Sequence, residues 1–140
     1  MSDENIELGE TWPNWIQAQY DSQASQVFRI LRNIVVIDVE RAKDVFPFVF
    51  PSRVESKPES FDVHWAEGWV GFKLTGNYIL VGTQYENQEE LKSHALIPEW
   101  DVRIRTLRLS IAGEPPGIGY APWEISQKFL SPLFFPDPET

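Results

Sequence analysis

Apolar residues near the N-terminus recur mostly every three or four positions, which is the spacing of one face of an amphipathic helix. Thr11 and Pro13 precede most of them and form a helix-start signal, a cap residue followed by proline in the first turn. Asp21 and Ser22 interrupt the pattern, so it predicts either one helix over 13–32 or two shorter ones. The apolar positions are Trp12, Trp15, Ile16, Tyr20, Ala24, Val27, Ile30 and Leu31.

The next segment, 33–39, holds five β-branched aliphatic residues among seven. Such residues favour strands, so we predict a strand buried on both faces, with an extension of the preceding helix as the alternative. Residues 40–45 predict a short helix that Pro47 ends. Phe46, Phe48 and Phe50 alternate as in a strand. Residues 51–60 contain two prolines and three serines, and they predict a loop.

The middle of the chain predicts several strands. Residues 61–65 alternate apolar and polar, and 69–83 form the clearest hairpin, with a tight turn at Thr75–Asn77. Residues 84–96 predict a polar turn with a short helix.

Residues 101–111 show alternation that breaks between Thr106 and Leu107. A single strand with a one-residue β-bulge at that point would restore one apolar face. It would also place Arg103, Arg105 and Arg108 together on the opposite face.

The C-terminal region predicts an irregular loop over 113–121 and then a helix over 123–130, opened by Pro122 and ended by Pro132. These elements predict an α+β fold: an antiparallel sheet of four to six strands, with N- and C-terminal helices packed on one face. The predicted organisation is a flexible acidic arm (1–10), one domain (11–136) and a short tail (137–140).

Composition restricts the class of protein. The chain has 140 residues, no cysteine, 21 acidic against 12 basic residues and a net charge of −9. This charge disfavours nucleic-acid binding, and no apolar run approaches the roughly 20 residues of a membrane helix. The acidic start does not resemble a signal peptide, so we expect a protein of the cytoplasm.

Residues that could perform catalysis do not form a recognisable set, so we expect a protein without catalytic activity, metal or cofactor. The two histidines, His64 and His94, stand 30 positions apart, and no Gly-x-Ser-x-Gly motif is present. Residues 117–119 (Gly-Ile-Gly) lack the third glycine of a phosphate-binding loop. Glu99 and Asp101 flank Trp100, which is weak evidence for a glycosidase cleft.

Two features indicate interaction sites. The first is the predicted arginine face, Arg103, Arg105 and Arg108, since guanidinium groups bind carboxylates in pairs of hydrogen bonds; pairing with the chain's own acids is the alternative. The second is a set of aromatic residues near the chain ends, which either pack on their own domain or form a binding patch. This set comprises Trp12, Trp15, Tyr120, Trp123, Phe134 and Phe135.

The leading hypothesis is therefore a non-catalytic accessory protein, such as an assembly helper. It would capture a peptide segment of a larger partner, such as a terminal tail of an assembly, through a sheet edge or an aromatic groove. One alternative is an acidic inhibitor or immunity-type protein that neutralises a basic effector. Another is a small-molecule binder or enzyme with a pocket lined by Trp65, Trp69 and Trp100.

Overall fold

The computed structural model describes residues 15–86, 88–101 and 106–136. The predicted arm (1–10) and tail (137–140) lie outside them. The described elements are helix α1 (Trp15–Val45), strands β1 (Ser52–Lys57), β2 (Ser60–Trp65), β3 (Gly68–Thr75), β4 (Tyr78–Gln84), β5 (Lys92–Asp101) and β6 (Thr106–Ile111), and helix α2 (Pro122–Phe134).

The six strands form one antiparallel sheet in which every strand pairs with its neighbours in sequence, in the order β1 to β6. Alternate residues of β2 and β4 are buried. These buried side chains share one core with buried side chains of both helices. No described helix packs on the other sheet face, which we call the open face. The predicted α+β class is confirmed, and so is the hairpin over 69–83, whose turn contains Gly76 at a φ of 60°.

Helix α1 continues through residues 33–39, so the predicted strand there is wrong and the alternative, a helix extension, is right. Its buried positions follow a helical period from the N-terminal half to the end of the helix. Burial of this stripe outweighs the weak strand preference of β-branched residues, which is only a few tenths of a kcal/mol per residue. The stripe is Ala24, Val27, Phe28, Leu31, Val35, Val39 and Ala42.

Residues 46–60 also differ from the prediction. The alternating phenylalanines lie in a turn after α1 rather than in a strand, whereas the predicted loop contains β1. Strand β1 lies at the sheet edge, where proline beside the strand and charged side chains within it are common because they discourage further pairing. Arg32 of α1 holds this edge, since its guanidinium donates hydrogen bonds of 2.9 Å to the carbonyl oxygens of Lys57 and Pro58.

Strands β5 and β6 correct two further predictions. Residues 92–96 belong to β5, not to a short helix. Asp101 pairs with Thr106 across the two strands, so residues 101–111 do not form a single bulged strand. The break in alternation between Thr106 and Leu107 falls at the start of β6 and is not a bulge within one longer strand.

Helix α2 begins at Pro122 as predicted but continues past Pro132 to Phe134. The side chain of Glu124 satisfies the N-terminus by accepting a hydrogen bond of 2.9 Å from the backbone N–H of Ala121. Pro132 removes one backbone donor near the end of the helix, where the N–H of Phe135 still reaches the carbonyl of Ser131 at 2.8 Å. A proline in the last turn therefore does not end this helix.

Four phenylalanine rings connect the two helices to the same pair of strands. Phe61 of β2 and Phe72 of β3 stack with ring centroids 4.7 Å apart. Phe28 of α1 contacts Phe61 at 5.2 Å, and Phe129 of α2 contacts Phe72 at 6.4 Å. These separations are within the range of favourable aromatic pairs. We call these four residues the aromatic column.

Tyr85, which follows β4, fixes α2 to the sheet by donating a hydrogen bond of 2.8 Å from its hydroxyl to the carbonyl oxygen of Phe129. Burial raises the pKa of Tyr85 to about 12. The folded protein thus holds this proton more tightly than the unfolded chain, whose tyrosine has its ordinary pKa near 10. The stabilisation is complete below about pH 10 and is lost as the pH rises from about 10 towards 12.

Replacing Tyr85→Phe should lower the free energy of unfolding by about 1 kcal/mol at pH 8, because one partly buried hydrogen bond is removed. It should also reduce the loss of stability between about pH 10 and 12. Urea unfolding across this pH range measures both effects. Tyr78→Phe on the open sheet face is the control and should change stability by less than about 0.5 kcal/mol. An alkaline loss of stability equal in Tyr85→Phe and wild type would contradict the assignment.

Candidate binding groove between the two helices

Helices α1 and α2 lie side by side and run in the same direction. The hydroxyl of Ser126 donates a hydrogen bond of 2.7 Å to Oδ2 of Asp38. Further along both helices, the rings of Phe46 and Phe135 are 5.5 Å apart. Since both contacts advance in the same sense along the chain, the C-terminal half of α1 is parallel to α2.

A cavity of about 630 Å³ follows this seam and opens to solvent. Its size is within the range of small-molecule and peptide-side-chain sites. Four large apolar side chains on its walls are strongly exposed: Ile37 at 50%, Val45 at 68%, Trp123 at 59% and Phe135 at 64%. Apolar side chains that gather in one groove, rather than scatter singly over the surface, are typical of a binding site. We call this cavity the helix groove.

The polar residues that line the helix groove are Asp38, Arg41, Ser126, Gln127 and Ser131. Ser126 is fully buried, and its hydroxyl satisfies one carboxylate oxygen of Asp38. The other carboxylate oxygen lies 3.9 Å from a guanidinium nitrogen of Arg41, whose side chain is 78% exposed. At that distance the Arg41–Asp38 contact is an ion pair without a hydrogen bond.

Aromatic side chains close the groove at the C-terminal ends of both helices. Trp65, buried at the end of β2, contacts the ring of Phe134 at 4.7 Å and that of Phe46 at 6.1 Å. This cluster fixes the end of α2 against the sheet, so that Phe135 stands at the groove rim.

The structure separates the aromatic residues singled out in the sequence. Trp123, Phe134 and Phe135 line the helix groove, and Phe134 is also partly buried against the core. Tyr120 lies in the loop before α2, where its hydroxyl donates a hydrogen bond of 2.7 Å to Glu114. Trp12 lies outside the described residues. Trp15 is the first residue of α1, and its side chain is not among those described.

Of the predicted arginine face, Arg108 lies within the described residues, whereas Arg103 and Arg105 lie outside them. Arg108 alternates with the buried Leu109 along β6, and its guanidinium forms an ion pair of 3.2 Å with Glu124 of α2. For Arg108 this is the alternative of pairing with the chain's own acids. Because Asp101 and Thr106 belong to two antiparallel strands, the single bulged strand on which the three-arginine face depended is absent.

The three tryptophans proposed for a ligand pocket do not come together. Trp65 faces the helices, is 3% exposed and belongs to the core. Trp69 lies on the opposite sheet face, because its neighbour Val70 is the residue of β3 that enters the core. Trp100 is 55% exposed, near the end of the sheet opposite Trp65.

The two histidines also lie on opposite sheet faces. Nε2 of His64 is 2.9 Å from Glu55 on the open face, whereas the ring of His94 is 5.4 Å from Phe129 on the helix side. Within the described part of the chain, no group of three or more His, Asp or Glu side chains could hold a metal ion. In the same part, no helix is long and apolar enough to cross a membrane.

Sequence reasoning missed the α1 wall of the groove because it assigned residues 33–39 to a strand. The available signal was a second apolar stripe at helical spacing, Ile30, Ile34 and Ile37, beside the buried one. A helix that carries two neighbouring apolar stripes has more apolar surface than one contact with the sheet can bury.

Fold and groove together define an α+β protein with a six-stranded antiparallel sheet, two helices on one sheet face and an apolar groove between those helices. Comparison of the chain with protein-family models, curated proteins and solved structures found no significant match.

Two glycines explain the position of Trp69 on the open face. Gly71 and Gly82 pair across β3 and β4, and the indole ring of Trp69 covers both. A Cβ atom on Gly82 would lie 2.9 and 3.0 Å from ring carbons of Trp69. An aromatic ring that covers strand glycines in this way compensates for their missing side chains.

Replacing Gly82→Ala should lower the free energy of unfolding by about 1–3 kcal/mol, because the new methyl group displaces the indole ring. In a Trp69→Ala background the same change should be neutral or slightly stabilising, since alanine loses less backbone entropy than glycine. Urea unfolding of the four proteins forms a double-mutant cycle. An equal loss of stability in both backgrounds would show that the ring does not require the glycine.

Proposed function

We propose that this protein is a non-catalytic accessory protein that captures a peptide segment of a larger partner in the helix groove. The observation that carries the proposal is the exposure of Ile37, Val45, Trp123 and Phe135 within one cavity. Burying exposed apolar area contributes about 25 cal/mol per Å², so a partner segment that covers these side chains is stabilised by the hydrophobic effect. Aromatic residues such as Trp123 are frequent energetic centres of interfaces.

The sheet edges support this choice of site over edge pairing. Strand β1 exposes Arg53, Glu55 and Lys57, and charged edge strands discourage the addition of another strand. At the other edge, Leu109 of β6 already exchanges two backbone hydrogen bonds of 2.7 and 2.8 Å with Tyr120. Peptide capture was expected at a sheet edge or in an aromatic groove. Of these two sites, the helix groove exposes more apolar surface to a partner.

The polar groups of the groove favour binding over catalysis. A nucleophile needs a general base within hydrogen-bond reach, and the base itself is oriented by a third group. The hydroxyl of Ser126 is fully buried and donates to Asp38, while the nearest cation, Arg41, does not act as a base. The Ser126–Asp38 hydrogen bond holds the two helices together, and Asp38 and Arg41 are the charged positions of the groove.

A random-peptide display selection on the wild-type protein tests this function, followed by fluorescence-anisotropy titration of the selected peptides. Ile37→Asp should weaken their binding at least about tenfold, because it places a charge in the desolvated part of the groove. The matched control is Ile16→Asp, since Ile16 is also an exposed residue of α1 (64%) but does not line the groove.

The control should bind within about twofold of wild type, as expected for a surface change away from the contact. Circular dichroism should show that both variants are folded. Failure to select any peptide, or selected peptides that bind Ile37→Asp as tightly as wild type, would refute capture in the helix groove.

A further inference from the structure

We propose that the segment received by the helix groove is an amphipathic α-helix whose apolar stripe carries one carboxylate side chain, paired with Arg41. This inference rests on the proposed function, because it specifies the chemistry of the peptide that the groove captures.

The walls of the groove indicate a helical occupant. Both walls are α-helices, whose backbone N–H and C=O groups are already bonded within each helix. For the backbone groups of an extended peptide the groove offers only a few side-chain partners, those of Asp38, Arg41, Gln127 and Ser131, and each group left unsatisfied would cost about 1–3 kcal/mol. A helix satisfies its own backbone and presents only side chains, which matches the apolar walls.

The length of the groove fits several helical turns. Its α1 wall extends from Ile34 to Phe46, which at 1.5 Å per residue corresponds to about 18 Å. A partner helix with apolar residues at positions i, i+4, i+7 and i+11 covers about 16 Å along its axis, close to the length of the groove. Its anchors can therefore contact Ile37 and Val45 on one wall and Trp123 and Phe135 on the other.

The charge of the groove indicates the polar group of the ligand. Asp38 and Arg41 are its charged lining residues. Oδ2 of Asp38 accepts the hydrogen bond of Ser126, and Oδ1 forms only the 3.9 Å ion pair with Arg41, so no described residue accepts a hydrogen bond from the guanidinium group of Arg41. Arg41 thus presents N–H donors beside an apolar surface, and a carboxylate is the side chain that accepts two of them at once.

The net charge of the whole chain favours a ligand that carries only one acidic residue in its apolar stripe. At −9, the protein repels a partner that is acidic throughout, attracts a basic one and does not repel a neutral one. The expected ligand is therefore an amphipathic helix with a single Asp or Glu in its apolar stripe and neutral or basic residues elsewhere.

The test uses two peptide display libraries with equal numbers of randomised apolar positions. One library has a helical template, and the other has prolines that prevent a helix. In each, one stripe position is varied among Glu, Gln, Lys and Leu. Selections are made on wild type, Arg41→Gln, Arg41→Glu and the Ile37→Asp variant, and the dissociation constants of enriched peptides are measured by fluorescence anisotropy.

We expect enrichment of helical-template peptides with Glu at the varied position. Wild type should bind the Glu form about three- to tenfold more tightly than its Gln counterpart, as for a partly desolvated ion pair. This preference should disappear in Arg41→Gln and change to Lys in Arg41→Glu. Because the side chain of Arg41 is 78% exposed, both variants should remain folded.

Other outcomes overturn the inference in distinguishable ways. Peptides that depend on Ile37 but come from the proline library would exclude a helical ligand and leave the proposed function intact. Equal affinity of Glu and Gln forms would exclude the Arg41 pair. A dimer that Ile37→Asp dissociates in sedimentation would assign the groove to a second copy of the chain. Enrichment that is the same on wild type and Ile37→Asp would remove the proposed function as well.

Discussion

The contact on which the architecture depends is the stacking of Phe61 on Phe72 in neighbouring strands, with Phe28 and Phe129 packed against them. Through this aromatic column, helices from the two ends of the described chain are fixed to the same pair of strands. The two helices must therefore lie beside each other, and their sheet-facing sides are buried in the core. The groove between their solvent-facing sides is a geometric consequence of that arrangement.

Burial on one side only gives the two sheet faces different chemistry. The helix-facing side is a continuous apolar core. The open side carries charged side chains, and there the ring of Trp69 covers two glycines. On the covered side, α1 carries a second apolar stripe that the sheet does not bury, and Ile34 and Ile37 of this stripe line one wall of the groove. The polar contact between Asp38 and Ser126 sets the spacing of the two walls without filling the space between them.

Sequence patterns predicted the fold class and the central hairpin because alternation over 61–83 and the turn at Gly76 are local signals. They failed where tertiary burial decided the outcome. Residues 33–39 resemble a strand by residue type but follow a helical period, and the charged segment of β1 is a strand only because β2 pairs with it. Trp123 and Phe135 were identified as aromatic candidates. The α1 wall of the groove could not be inferred once that segment was assigned to a strand.

The position of a bound peptide can be measured directly by fluorine NMR of the protein labelled with 5-fluorotryptophan, using a peptide selected on the wild type. Single Trp→Phe variants assign the resonances of Trp123 at the groove and Trp69 on the open sheet face. Capture in the helix groove predicts that the Trp123 resonance shifts in proportion to the bound fraction while the Trp69 resonance stays unchanged. A shift at Trp69 with no change at Trp123 would contradict the groove as the binding site.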